Sequence, residues 1–167
     1  MFLLSGQGCI CLKRLYIHES IYPAVTDALV TVARSAKVGN GLDPETVQFA
    51  VQQAVVVIPG TLTPTDVIAA WKLSPDFIKV VPCGQVGGHT YIQALKAMFP
   101  GIPLVAAGGV TQQTAANYIL AGAVALGIGA ELIPREAIRR RQPDRISELA
   151  RRFTAFVSGA RSQQGQR

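Results

Sequence analysis

The chain predicts an α/β fold of parallel strands joined by helices, and three features of the sequence carry that reading. Short apolar runs recur, each closed by glycine or proline. They are Ala54-Val55-Val56-Val57-Ile58, Phe77-Ile78-Lys79-Val80-Val81, Pro103-Leu104-Val105-Ala106-Ala107 and Ala123-Val124-Ala125-Leu126-Gly127-Ile128. The runs are uninterrupted rather than alternating, as in strands covered on both faces. Helical patterns separate them, so strand, helix and strand repeat at about 20 to 26 residues, the rhythm of parallel βαβ units. An open doubly wound sheet and a βα barrel both fit this rhythm.

The strands are therefore expected near 54–58, 77–82, 103–107 and 123–128, parallel and neighbouring. Thr63-Pro64 is a cap and first-turn pair for a helix from Thr65 to Trp71. A second helix is expected from His89 to Phe99. A third runs from Thr111 or Gln112 to Ala121 and stops at Gly122. Upstream, Tyr22 to Arg34 reads as an amphipathic helix and Ala36-Lys37-Val38-Gly39 as a candidate short strand. Asp43 then caps a helix that has Pro44 at its first position and runs through Gln53. Ile146, Leu149, Ala150, Phe153 and Val157 recur at helical spacing and predict a closing helix. One domain over residues 1–158 is expected, with residues 1–35 its least defined part. Residues 159–167 are expected to form a disordered basic tail.

Composition narrows the class. Hydrophobic residues make up 49% and charged residues 16%, which sets the chain apart from disordered sequences. No run reaches the roughly 18 apolar residues of a membrane helix. The apolar opening Met1-Phe2-Leu3-Leu4 has no basic region before it and no clear cleavage site after it, so a signal peptide is not expected. Cys9, Cys11 and Cys83 make an odd set without the spacing of a zinc site, which suggests reduced thiols and a cytoplasmic setting. The net charge of +6 comes from Arg135 onward, where nine arginines face only Glu136, Asp144 and Glu148. These arginines fall opposite the apolar stripe of the closing helix and read as a solvated face. No aromatic residues interleave with them as in a nucleic-acid module, so neither nucleic acid nor membrane is an expected partner.

Lys79 is the most informative residue. It stands mid-strand, sharing one face with Phe77 and Val81 by alternation. Burying an unpaired ammonium is costly, and a desolvated lysine is suited to attack a carbonyl and form an imine. A solvated edge strand is the alternative. Gly108-Gly109 and Gly127-Ile128-Gly129 follow the next two strands. In βα barrels an anion commonly sits in such loops, on backbone N–H groups that glycine leaves accessible. His18, His89, Trp71 and Cys83 read as packing or surface residues.

Residues Asp76 to Pro134 resemble the class I aldolases acting on 2-keto-3-deoxy-6-phosphogluconate and 4-hydroxy-2-oxoglutarate. The likeness rests on Phe77-Ile78-Lys79-Val80-Val81-Pro82, Gly87-Gly88, Pro103 to Val110, and Ala125-Leu126-Gly127-Ile128-Gly129. Ile58-Pro59-Gly60-Thr61-Leu62-Thr63-Pro64-Thr65 resembles that family's loop before the lysine strand, and Val38 to Glu45 a worn copy of an earlier glycine segment. The resemblance implies a TIM-type (β/α) barrel, here incomplete, that needs no cofactor. It also implies a lyase cleaving 4-hydroxy-2-oxo acids to pyruvate and an aldehyde, and a homo-oligomer, typically a trimer. Lys79 would be the Schiff-base lysine, Pro59 and Gly60 would line the pocket, and Gly108, Gly109 and Gly129 would hold a phosphate or carboxylate. Glu19 stands nearest the place of the family's general base.

The departures are equally specific. A barrel of this kind takes roughly 200 residues or more, and only seventeen separate Gly41 from Pro59, where the family has another strand and helix. Ala107 and Ala130 stand where the family carries hydroxyl residues. An impaired barrel remnant that binds a phosphate or oxo acid and acts by assembly is the alternative function.

Overall fold

In the computed structural model, which describes residues 22–35 and 44–165, two helices precede the sheet. These are α1 (Tyr22–Ser35) and α2 (Pro44–Gln52). The candidate strand at 36–39 and the Asp43 cap lie outside the described residues. Four strands follow: β1 (Gly60–Thr61), β2 (Ile78–Val80), β3 (Leu104–Ala107) and β4 (Ala125–Gly127). Helices α3 (Pro64–Trp71), α4 (His89–Met98) and α5 (Ala115–Leu120) connect them, and α6 (Arg135–Arg139) and α7 (Pro143–Gln164) come last.

Every neighbouring pair of strands is parallel, and their order is β1-β2-β3-β4. That order separates the two architectures. A doubly wound sheet reverses direction at a switch point, whereas these strands follow one another as in a barrel wall. Four are half of the eight that close such a barrel. The described chain is an open arc of it.

The arc covers one face with helices. Ile78, Val80, Leu104 and Ala106 have no exposed surface and pack with Val67 of α3, Ile92 and Leu95 of α4, and Ala115 and Tyr118 of α5. Fully burying an aliphatic side chain of this size contributes about 1.5–3 kcal/mol, so this row is the main stabilising layer. The uninterrupted runs had implied cover on both faces. The structure corrects this: Lys79, Val105 and Ala125, on the other face, are only partly buried.

Two boundaries also differ. The first run does not form a strand at 54–58. Ala54 takes a positive φ of 54° after α2, and Val55, Val56 and Ile58 are exposed. Val57 is instead fastened to the start of β2, its N–H donating to Asp76 Oδ2 (2.7 Å) and its C=O accepting from Asp76 N–H (3.1 Å). The regular ladder begins only at Gly60. At the other end, the expected disordered tail from 159 is helical through Gln164. Ala160 is buried, Arg161 donates to Val124 C=O (2.8 Å), and Gln164 Nε2 donates to Ile119 C=O (2.6 Å). Of the predicted stripe, Phe153 is buried but Ala150 is exposed.

Candidate active site

The strand ends are shaped by three loops. After β1, Thr63 caps α3 in a reciprocal box: Asp66 N–H donates to Thr63 Oγ1 (3.2 Å) and Thr63 N–H to Asp66 Oδ2 (2.8 Å). Hydrogen bonds from the Thr63 backbone and side chain, with a further one from Leu62, hold the Asp66 carboxyl below its ordinary value. The next residue back is also tied, since Tyr91 of α4 donates its hydroxyl to Leu62 C=O (2.7 Å). This box fixes where β1 ends.

After β2 the chain turns through Pro82 and Cys83 into a 3-10 turn at Gly84–Val86. Cys83 N–H donates to Ala107 C=O and Gly84 N–H to Gly108 C=O, both at 2.8 Å, and Cys83 Sγ contacts Gly108 C=O (3.3 Å). The loop after β2 therefore lies directly on the Gly108-Gly109 pair. Both glycines have positive φ, 76° and 87°. A Cβ on Gly108 would come within 2.9 Å of Pro82 Cα, and one on Gly109 within 2.9 Å of Gly84 Cα. Their lack of a side chain is explained by this packing.

Cys83 is fully buried beside Tyr118. Burial first, and then Cys83, push the Tyr118 phenol well above its ordinary value. The His89 ring meets Tyr118 edge-on at 6.3 Å. This polar pair inside the core is not legible in the sequence, because Cys83 and Tyr118 are 35 positions apart on different elements.

Lys79 occupies the middle of β2, paired with Gly60 of β1 and Val105 of β3, and Val105 pairs in turn with Ala125 of β4. In-register residues of parallel strands share a face, so Gly60, Lys79, Val105 and Ala125 make one row on the side away from the helices. Lys79 was expected to be buried; it is partly exposed, because the arc leaves this face open. Among the described residues its ammonium has no hydrogen-bond or ion-pair partner. Gly60, its register partner in β1, is exposed on the same row.

Pro59 departs from its expected place. It is buried on the helix side, lining a cavity of about 130 Å³ with Pro44 and Val47 of α2 and Asp66, Ala69, Ala70 and Leu73. The reason is register: Pro59 precedes Gly60 by one residue, so it points through the sheet the other way. A second cleft, of about 220 Å³, lies between α4 and α5 and is lined by His89, Gln93 and Asn117 among others. Gly129 is exposed with nothing within 4 Å of where its Cβ would be, and its C=O accepts from Leu132 (3.0 Å) and Ile133 (2.9 Å). Glu19 lies outside the described residues. No cluster of three metal-ligating side chains occurs among the described residues.

Lys79 thus stands on the open row of the sheet, and Gly108-Gly109 and Gly129 lie in the loops after β3 and β4. The sequence model of the family described as KDPG and KHG aldolase matches residues 25–149. The chain belongs to that family. Over 140 residues it is 31% identical to the 2-dehydro-3-deoxy-6-phosphogalactonate aldolase of Escherichia coli (strain K12), covering 83% of this chain and 64% of that protein. The solved structure named "Native KDPGal structure" superposes with a TM-score of 0.64 at 30% identity, covering 71% of this chain and 56% of that one. These family relatives are longer, and the chain spans under two thirds of either. A different likeness is confined to 53 residues, which are 45% identical to a probable aldehyde dehydrogenase of Pseudomonas sp and cover 32% of this chain but 11% of that protein. The fold is accordingly part of a TIM-type barrel. No helix among the described residues is long and apolar enough to cross a membrane.

Proposed function

We propose that this member of the aldolase family is a class I lyase that cleaves 4-hydroxy-2-oxo acids to pyruvate and an aldehyde, with Lys79 as the imine-forming amine. The observation that carries the reading is the position of Lys79: central in the arc, on the row facing away from the helices, without a partner among the described residues, and in register with a glycine. The Lys79 amine adds to the ketone carbon and water leaves, giving a protonated imine. A base takes the proton from the 4-hydroxyl, the bond between carbons 3 and 4 breaks, and its electron pair moves into the imine as an enamine. The aldehyde departs. Protonation at carbon 3 and hydrolysis release pyruvate and restore the free amine.

That base needs hydrogen-bond reach of the hydroxyl, directly or through one water, and Glu19 is the carboxylate we assign to it. Gly129 is the better candidate of the three loop glycines for anion contact, since its surroundings are open. No cofactor enters this scheme. A cytoplasmic setting, in keeping with the free thiol of Cys83, and a homo-oligomer belong to the same proposal.

Incubation with pyruvate and borohydride tests it. One pyruvate-derived mass per chain is expected on the peptide containing Lys79, and none in Lys79→Ala. A folded wild-type protein that takes up no pyruvate there ends the enzymatic reading. Trapping without turnover of 2-keto-3-deoxy-6-phosphogluconate or 4-hydroxy-2-oxoglutarate identifies the impaired remnant instead.

A further inference from the structure

The loops after β3 and β4 leave the sheet side by side, because Ala107 pairs with Gly127. In the first of them one peptide is turned in a defined direction. Gly108 C=O accepts from Gly84 N–H (2.8 Å) and from the thiol of Cys83 (Sγ to oxygen 3.3 Å). Ala107 C=O is held from the same side, accepting from Cys83 N–H (2.8 Å). The positive φ of 76° at Gly108 accommodates two consecutive carbonyls that face one loop. The peptide from Gly108 to Gly109 is trans, and in a planar trans peptide the N–H points opposite to the C=O. Gly109 N–H is therefore turned away from the β2 loop, to the side on which β4 lies. Gly109 is exposed, and its N–H has no hydrogen-bond partner among the described residues. The bonds that fix the loop leave this donor free.

What fixes the loop reaches into the core. Cys83 has no exposed surface, and Tyr118 of α5 is 1% exposed. The Tyr118 phenol is hydrogen-bonded to Cys83. Gly88 gives its hydroxyl room, since a Cβ there would come within 3.4 Å of it. The His89 ring backs the phenol edge-on. A sulfur that accepts from the phenol keeps its own hydrogen for a carbonyl. The bonds thus run one way, from Tyr118 hydroxyl to Cys83 Sγ and from Cys83 thiol to Gly108 C=O.

We propose that Cys83 and Tyr118 are positioning residues, which act through the Gly108 carbonyl to aim the Gly109 N–H at an anionic group of the substrate. Neither side chain touches the substrate. The inference rests on the reading above, in which the loop glycines contact a phosphate or carboxylate, and it adds what orients that contact. The Gly109 donor joins Gly129, which stands in the adjoining loop.

The test follows the Gly109 amide of the isotope-labelled full chain by nuclear magnetic resonance as inorganic phosphate is added. In the wild type that amide is expected to shift saturably. Removing one link of the chain should weaken the apparent Kd about three- to tenfold, in Cys83→Ala and in Tyr118→Phe alike. Cys83→Ser keeps a donor at the same place and should stay within about twofold of wild type. Packing alone predicts the reverse order, because a buried hydroxyl suits an apolar core less than a methyl does. A wild-type Gly109 amide that phosphate leaves unmoved overturns the inference. So does a Cys83→Ala or Tyr118→Phe protein that binds as wild type, or a Cys83→Ser protein weakened as much as Cys83→Ala. If Cys83→Ala does not fold, Tyr118→Phe and Cys83→Ser decide. Pyruvate trapping at Lys79 reports the imine chemistry separately, so either reading can fail alone.

Discussion

Glycines at strand ends carry two meanings here, and substitution separates them. Gly108→Ala forces a Cβ against Pro82 at a φ of 76°. Left-handed strain and overpacking together are expected to cost roughly 2–4 kcal/mol in urea unfolding. Gly129→Ala meets open space, and a stability change within about 0.5 kcal/mol is expected. If Gly129 contacts the substrate's anion, its substitution raises KM for phosphorylated oxo acids at unchanged stability. Tyr118 offers a second residue-scale test. Its phenol is raised in the folded state, so its neutral form contributes stability that is fully present below the unfolded value of about 10 and lost as pH rises beyond it. Ultraviolet titration of the wild type against Tyr118→Phe should show the Tyr118 phenol resisting ionisation until the chain unfolds. A Tyr118 phenol that ionises near its unfolded value in a folded protein would contradict this.

At the scale of elements, α3 depends on its reciprocal cap. Thr63→Ala is expected to cost about 1 kcal/mol in chemical denaturation. Because the Asp66 carboxyl is held below its ordinary value of 3.8, its contribution is present above that value and lost as pH falls below it toward the lowered folded value. Asp66→Asn should flatten this acid dependence while keeping the helix. The cap was legible in the sequence as Thr63-Pro64, and β2, β3 and β4 were legible as apolar runs, because burial against one helix layer demands both. The start of β1 was not. Val55 to Ile58 read like a buried strand, yet what places them is the hold of Asp76 on Val57, nineteen residues away. Pro59 was assigned to the pocket by likeness, but a one-residue step in register sends it into the helix layer. The lysine's strand was legible; its exposure was not, because that depends on strands the described arc does not contain.

For the whole molecule, the far end of α7 matters most. Its last turns carry no apolar stripe as strong as that around Phe153, which is why they read as a tail. Their grip is polar: Arg161 reaches Val124 C=O across 37 residues and Gln164 reaches Ile119 C=O across 45. These two contacts tie α7 to the end of α5 and the entry to β4. During synthesis α7 is the last described element to leave the ribosome, and chains emerge at about 5–20 residues per second. The segment from β1 to β3 can pair and bury its helices while translation continues, whereas the clasp on β4 forms only after α7 has emerged. A sheet with an early part and a late part is the expectation. A chain stopped at Gly159 should reproduce the state before the clasp: amides of β2 and β3 stay protected from hydrogen exchange, while those of α5 and β4 exchange quickly. Uniform protection in that shortened chain would show that β4 is held without the clasp, and that the nascent sheet forms in a single step.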